Sequence, residues 1–595
     1  LSTSTSATTP VERGGSTASD HPPARGGWGV HLALTAAVAL AVLVLGWLKR
    51  WTSDDAFINF RVVHELLAGN GPVFNAGERV EVATSPLWLA VLTVADAIVP
   101  GDAAPWVSVV LGLALTATAV TVASIAAARL WAQAPSWVVV PFGIAVFAAL
   151  PPTWDFTTSG LETGLSFSWI ALSFWGLVRW VQRDVPLAHR PVWLLVLLGV
   201  GPLVRPDFAV IAGILLLFVV VMGAGRWWQR ALGLVIAGVL PVAYQVFRMG
   251  YYGLLVPNTA VAKESSRPLW SRGFVYLADL VAPHLLWVPA LLALALLAVL
   301  APQARWRRRE FVLVVVVLGA AAVHALYVVR VGGDFMHARL LMPSVFLALC
   351  PVAALPVTRR HAAVTGTLLA GAAVWAVSSV FLLRIDYADS VADSGLADER
   401  GFYAALAGVK NPITLADHGG AGVSAYTDQV NRAAREGRDE IVLQVVPVRP
   451  STPLAVLAPS SGGMVFSVGN AGFYGVASSS SVFVIDGFGL TDPIASHIAP
   501  GPPGRPGHEK IFPAWYLLAR YGAPELAEEV TPGLSDPAGV AAARSALSCG
   551  DAAQLIEATS GELTVGRFFS NVVHAPEMTS FRIPVDPGEA RGQFC

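Results

Sequence analysis

Long apolar runs, each about the length of a bilayer crossing, alternate with short polar stretches over the first 383 residues, and the pattern then stops. A spanning helix needs roughly 20 apolar residues. Runs near this length lie at 30–48, 106–128, 136–151, 162–180, 191–204, 207–224, 231–248, 273–300, 311–329, 341–357 and 362–383. They predict about eleven transmembrane helices. The apolar piece at 85–99 is bounded by Pro86 and Pro100 and falls short of a crossing, so it predicts an interfacial or re-entrant helix.

From about Arg384 the chain gains Gly, Ser, Pro and charge, which predicts a separate soluble domain over 384–595. "TPLAVLAP", "GGMVFSVG" and "SSVFVIDGFG" read as short strands. "DERGFYAALAGV", "EKIFPAWYLLARYG" and "DAAQLIEAT" read as helices. The expected organisation is a disordered cytoplasmic tail at 1–28, a transmembrane domain at 29–383 whose first outer loop is 49–105, and a mixed α/β cap. The Leu at position 1 suggests trimming.

Composition agrees with this pattern: 55% of the 595 residues are hydrophobic and 13% charged, with mean hydropathy +0.60. Nothing in it points to a nucleic-acid partner. Lys and Arg distribution sets orientation. Basic clusters at 179–190, at Arg226 and Arg230, at 305–309 and at 358–361 all fall on one face if segment 85–99 does not cross. With that face cytoplasmic, "KR" at 49–50 is the one contrary signal.

The same threading gathers the polar motifs on the outer side: "SDDAFINFR" (53–61), "FNAGERVEVATSP" (74–86), "TTSGLETG" (157–164), "LVRPD" (203–207), "YYGLLVPNTAVAKE" (251–264) and "VGGDFMHAR" (331–339). Ionisable groups clustered at one membrane face point to a shared polar cavity. The adjacent carboxylates Asp54 and Asp55 repel one another, so their retention calls for a cation, a metal or an electron-poor reaction centre, unless Asp54 serves only as a helix cap. Transfer of a sugar from a polyprenyl phosphate supplies such a centre, because the anomeric carbon becomes cation-like. The departing phosphate needs clamping by cations, for which Lys263, His337 and Arg339 are candidates. Arg205 either joins that clamp or ties to Asp207. Asn258 and Thr259 suit sugar hydroxyls. Asp334 projects near His337 from the Gly332–Gly333 turn. In "RPGHEK", Arg505, His508 and Lys510 are candidate outer-domain contacts to phosphate or glycan, or a solvated helix start.

Zinc finds no His/Cys spacing to support it. A hard divalent ion (magnesium, manganese or calcium) at Asp54, Asp55 or Glu162 stays open, and no other cofactor is called for. Cys549 and Cys595 are a disulfide candidate if the last third is extracytoplasmic, whereas Cys350 lies in an apolar run.

"DDAFINFR", "NAGERVEVATSPLW", "FTTSGLETG", "YYGLLVPNTAVAK" and "GGDFMHARLLMP", in this order, together with "VIDGFGLTDPIASH" and "RPGHEK", resemble the AftB-type arabinofuranosyltransferases of mycobacteria. The resemblance implies a GT-C membrane glycosyltransferase with decaprenylphosphoryl arabinofuranose as donor and cell-wall arabinan, in arabinogalactan and lipoarabinomannan, as acceptor. It implies catalytic places for Asp55 and Asp54, and Glu162 of "TTSGLETG" is a further candidate for donor phosphate or sugar binding. A β-linked donor and a terminal β-(1→2) product imply retention of configuration. Transfer of another polyprenyl-linked sugar such as mannose is the nearer alternative, and a lipid-linked saccharide flippase the more distant one.

Overall fold

The computed structural model describes residues 25–99, 103–132, 134, 138–183, 191–418, 423–444, 455–502, 504–524 and 536–595. Most of the expected tail, part of the basic cluster at 179–190 and the start of "TPLAVLAP" lie outside the described residues.

Among the described residues five helices are long and apolar enough to cross a membrane: Trp28–Leu48, Ala104–Leu130, Trp227–Tyr252, Arg308–Arg330 and Ala362–Phe381. The chain is a multi-pass membrane protein. Several of the other predicted runs are built from shorter apolar helices, and backbone chemistry explains where they divide. In the run at 136–151 the helix Phe142–Ala149 lies between Pro141 and Pro151, and a second helix, Pro151–Thr157, starts at the latter, since proline lacks the N–H that an interior position donates and suits the first turn of a helix. Run 191–204 divides into Val192–Gly199 and Gly201–Val204 around glycine and Pro202. Run 273–300 divides into Trp270–Val281 and Trp287–Leu300, with Leu285 in the turn at φ 48°. Helix Pro86–Ile98 has 13 residues, short of a crossing.

Small residues let the spans approach closely. A Cβ on Gly112 would stand 2.1 Å from the Thr157 carbonyl oxygen, and here Ala104–Leu130 packs against Thr163–Val181 and Trp28–Leu48. Strand β1 (Val138–Val140) pairs antiparallel with β2 (Leu355–Val357) at the edge of this bundle.

The C-terminal part is mixed, as its composition implied. β3 (Glu440–Leu443), β4 (Ala455–Pro459), β5 (Met464–Val468) and β6 (Val482–Asp486) form one sheet in the order β4-β3-β5-β6, antiparallel between β3 and β4 and parallel elsewhere. Helices Glu399–Ala407 and Gly550–Ser560 form where periodicity predicted them. "EKIFPAWYLLARYG" becomes helical only over Ala514–Tyr521, immediately after Pro513. Phe473, Tyr474 and Tyr516 are core residues, the first against Phe57 and Tyr403. Cys549 and Cys595 are joined as a disulfide, and Cys350 is buried and free.

The sheet layer meets the membrane part at the loop over 49–105. Helix Asp54–Leu67 packs against Ala471–Ala477 and Pro86–Ile98. Asn75 ties the same loop to β6, donating to the Val484 carbonyl and accepting from the Val484 N–H, both at 2.9 Å.

Candidate active site

The first outer loop is fixed before either aspartate is placed. Ser53 caps helix Asp54–Leu67, its Oγ accepting from the Ala56 N–H at 3.2 Å. The Ser53 N–H donates to the Ser159 carbonyl at 2.9 Å, which binds the loop to "TTSGLETG". In that motif Gly160 adopts φ +80°, and a Cβ there would stand 2.5 Å from the Ala56 Cβ. Only glycine lets the helix approach this closely.

The two carboxylates then diverge. Asp54 is buried and accepts from the Phe473 N–H at 2.8 Å and the Gly472 N–H at 3.3 Å. Burial pushes its carboxyl up to about 7, the Phe473 N–H acting against the rise and the Asp55 charge adding to it. Asp55, one residue on, lines a cavity of about 630 Å³. The cap belongs to Ser53, and Asp54 holds the start of helix Ala471–Ala477.

Around Asp55 the cavity wall is an alternating chain of charges. Asp55 Oδ2 lies 3.4 Å from Arg339 Nη1, which is also 3.3 Å from Asp334 Oδ2. Arg339 Nη2 stands 3.8 Å from Glu162 Oε1, which accepts from Arg205 Nη1 at 2.8 Å. Arg205 Nε donates to Asp207 Oδ1 at 3.0 Å. Burial acts to lower the Arg339 pKa, but the carboxylates of Asp334, Glu162 and Asp55 outweigh it and hold the guanidinium above its ordinary range. Four carboxylates share two guanidinium groups here, so this wall favours an electron-poor centre. Arg205 ties to Asp207, as one of the two readings expected, and it lines the cavity beside Glu162.

Lys263 and Thr259 also line the cavity. Lys263 Nζ stands 5.5 Å from the centroid of Phe335, with the Arg505 guanidinium 5.0 Å from the same ring. Gly507, at φ +74°, lies against the lysine stem, where a Cβ would come within 3.2 Å of Lys263 Cε.

Besides Asp54 and Arg505, four more of the predicted site residues lie outside the cavity lining. His337 is turned from the cavity: its Nδ1 pairs with Asp279 Oδ2 at 2.6 Å and its Nε2 faces His284 Nε2 at 3.1 Å. Asn258 donates to the Gly489 and Leu490 carbonyls and accepts from Ser496 Oγ, fastening the two parts of the chain. Lys510 is an internal tie, 2.6 Å from Glu264 and 3.0 Å from the Val261 carbonyl. His508 packs between Phe335 and Phe488, and burial, then the Arg505 charge, takes its pKa down to about 4.

Of the groups considered for a divalent ion, Asp54 is occupied by two N–H donors and Glu162 by two arginines. Among the described residues no group of three or more His, Cys, Asp or Glu is arranged to hold a metal.

The sequence reading missed His324, whose Nε2 pairs with Asp207 Oδ2 at 2.8 Å and Nδ1 with Ser344 Oγ at 2.7 Å. An imidazole in the middle of the apolar run 311–329 was the available signal.

Residues 460–590 match the model of the AftB family C-terminal domain. Over 93% of its length the chain is 34% identical to the terminal β-(1→2)-arabinofuranosyltransferase of Mycobacterium tuberculosis, 96% of which is covered. The chain belongs to this family. The Corynebacterium glutamicum family member of the same name is 31% identical over 89% of this chain and 82% of its own. A crystal structure of ArnT from Cupriavidus metallidurans bound to undecaprenyl phosphate aligns with a TM-score of 0.44 at 17% identity, covering 86% of this chain and 82% of that one. In this member of the arabinofuranosyltransferase family, the match to the C-terminal model includes Gly472, Phe473 and Gly507, which pack against Asp54 and Lys263.

Proposed function

We propose that the chain is a GT-C transferase that moves arabinofuranose from decaprenylphosphoryl arabinofuranose to the non-reducing ends of cell-wall arabinan, in arabinogalactan and lipoarabinomannan. The product is a terminal β-(1→2) linkage, formed with retention. The observation that carries this reading is Asp55 of the first-loop motif, which lines the cavity and shares the Arg339 guanidinium with Asp334 and Glu162. The cavity and C-terminal part face the extracytoplasmic side in this reading. The Cys549–Cys595 disulfide supports that side, because disulfides persist in oxidising compartments.

In the proposed reaction the C1–O bond to phosphate breaks with its electron pair moving to the phosphate, and Asp55 stabilises the charge left at C1. Lys263 offsets the charge gained by the phosphate. The acceptor O2 bonds to C1 from the side the phosphate is leaving, and its proton passes to the phosphate, so configuration is kept. Asp55 shares Arg339 with Asp334 and Glu162, and a carboxylate held this way suits electrostatic stabilisation better than covalent attack. The metal-ligand role is not required in this scheme.

The test is transfer from synthetic decaprenylphosphoryl arabinose to a short arabinofuranosyl oligosaccharide, comparing the natural chain with Asp55→Asn and determining the anomeric configuration of the product. A β-linked product that is lost in the variant, with no arabinosyl adduct on Asp55 by mass spectrometry, is expected. Transfer of mannose instead from its polyprenyl phosphate, or lipid-linked sugar movement without bond cleavage, would replace this reading.

A further inference from the structure

The cavity wall changes chemistry away from Asp55. A polyprenyl tail stays in the bilayer, so a lipid donor approaches along the wall built from the ends of the spans, where Leu161, Val328 and Val331 are apolar. Another stretch of wall comes from the segment at 257–266 and from the chain at the end of helix Val565–Ser580, and it includes Thr259, Ser265, Ser266 and Ser580 beside Lys263.

Three features make this second stretch a built surface. Thr259 is 7% exposed, and its Oγ1 is buried without a hydrogen-bond partner, although its neighbour Asn258 is fully engaged. A buried hydroxyl left unpaired costs free energy unless a ligand satisfies it. One χ1 step exchanges that hydroxyl with the methyl group of the same side chain. The serines follow Glu264, which adopts φ 48°, an uncommon conformation for a residue with a side chain. Its carboxylate is gripped by Lys510 at 2.6 Å and Arg582 at 2.7 Å, both from the C-terminal part. That pairing engages Lys510 and Arg582 with Glu264, which leaves Lys263 as the cation of this segment that faces the phosphate, and the hydroxyl-bearing residues on either side of it suit a neutral polyhydroxylated ligand bound next to the donor.

We infer that this wall, Thr259 with Ser265 and Ser266 held by the Glu264–Lys510–Arg582 ion cluster, is the acceptor subsite and binds the terminal sugars of a neutral oligosaccharide. The inference rests on the proposed function for the sugar's identity. It gives the C-terminal part a direct share in substrate binding.

The experiment uses the full chain in nanodiscs with Thr259→Val, Thr259→Ser and Ser266→Ala. KM for a short arabinofuranosyl oligosaccharide and for the lipid donor are measured separately. Thr259→Val is expected to raise acceptor KM about three- to tenfold with donor KM within about twofold, and Thr259→Ser to restore it. Ser266→Ala, on an exposed residue where folding is not at stake, is expected to raise acceptor KM in the same direction. A rise confined to donor KM, or unchanged acceptor KM in Thr259→Val and Ser266→Ala alike, would overturn the subsite. If the natural chain transfers no arabinose, the proposed function fails, and oligosaccharide binding is then followed by saturation-transfer NMR. Weaker binding by Thr259→Val would still support the subsite, and equal binding would overturn it.

Discussion

Arg339 holds Asp55 at 3.4 Å and reaches Glu162 at 3.8 Å with its other terminal nitrogen. One guanidinium thus links the first outer loop, "TTSGLETG" and "GGDFMHAR". Replacing it by Gln leaves Asp55, Asp334 and Glu162 without their shared cation, a loss worth roughly 3–5 kcal/mol for a buried pair. Arg339→Lys keeps the charge but not the fork. Arg339→Gln is expected to lower both thermal stability and transfer, whereas Arg339→Lys should fold normally and transfer at a reduced rate. Melting curves and initial rates on the same preparations check this. Full activity in Arg339→Lys would mean that the fork is unimportant.

The two adjacent aspartates should separate in a mutational test. Asp54→Ala removes the acceptor for the Gly472 and Phe473 N–H groups, at a cost of about 1–3 kcal/mol for unsatisfied buried donors. Asp55→Asn removes the charge facing the cavity and should cost on the order of 100-fold or more in turnover while the chain still folds. The expected pattern is a lowered melting temperature with residual activity for Asp54→Ala, and normal melting with lost activity for Asp55→Asn. The reverse pattern would exchange their roles.

The apolar runs, the gathering of polar motifs at one cavity and the mixed C-terminal part were legible because hydropathy and turn chemistry act locally. Where those runs divide into shorter helices was not, because prolines at 141, 151 and 202 interrupt segments that hydropathy alone treats as continuous. Asp55 was legible as half of an unusual pair, yet nothing in "DD" says which carboxylate faces the cavity. That is decided by Gly472 and Phe473, more than 400 positions away. His337 and Lys510 had the right chemistry for a clamp but are spent on Asp279 and Glu264, partners fixed only by tertiary packing.

His324 acts at a distance from the reacting atoms. It holds Asp207, which orients Arg205 beside Glu162, so it is a positioning residue. His324→Ala should free Asp207 to rotate and raise donor KM severalfold, with His324→Asn, which retains a donor, recovering part of the loss. Steady-state kinetics with varied donor settle the matter. A change in stability alone, with kinetics intact, would reduce His324 to packing.

Three of the carboxyls whose pKa burial raises, Glu399, Asp54 and Asp486, contribute to the pH dependence of stability in one direction. Burial raises Glu399 to about 8, with the charges of Asp55 and Asp54 adding to the rise and Arg505 opposing it. Burial likewise raises Asp54 and Asp486 to about 7. In each case the folded chain holds a proton that the unfolded chain releases near its ordinary value, 4.5 for Glu and 3.8 for Asp. Their contribution is therefore fully present below those values and is lost as pH rises through about 7 to 8. The melting temperature of the C-terminal part, followed by tryptophan fluorescence, is expected to fall between pH 5 and pH 8, and Glu399→Gln should flatten that slope. A melting temperature that rises over the same interval would contradict the assignment.

Lys263 depends on a glycine from the other part of the chain. Gly507 sits at φ +74° with the lysine stem against it, so Gly507→Ala both strains the backbone and pushes Lys263 from its position above Phe335. Lys263 carries the charge that offsets the departing phosphate in the proposed reaction, and the glycine acts only through it. Lys263→Met, which keeps an unbranched apolar stem, should therefore reduce turnover and weaken inhibition by a short polyprenyl phosphate, with the free prenol's effect unaltered. Gly507→Ala should shift the same inhibition constant in the same direction by a smaller factor. If Gly507→Ala lowers thermal stability but leaves phosphate inhibition as it was, the close contact serves the fold, and Lys263 reaches the phosphate without its help.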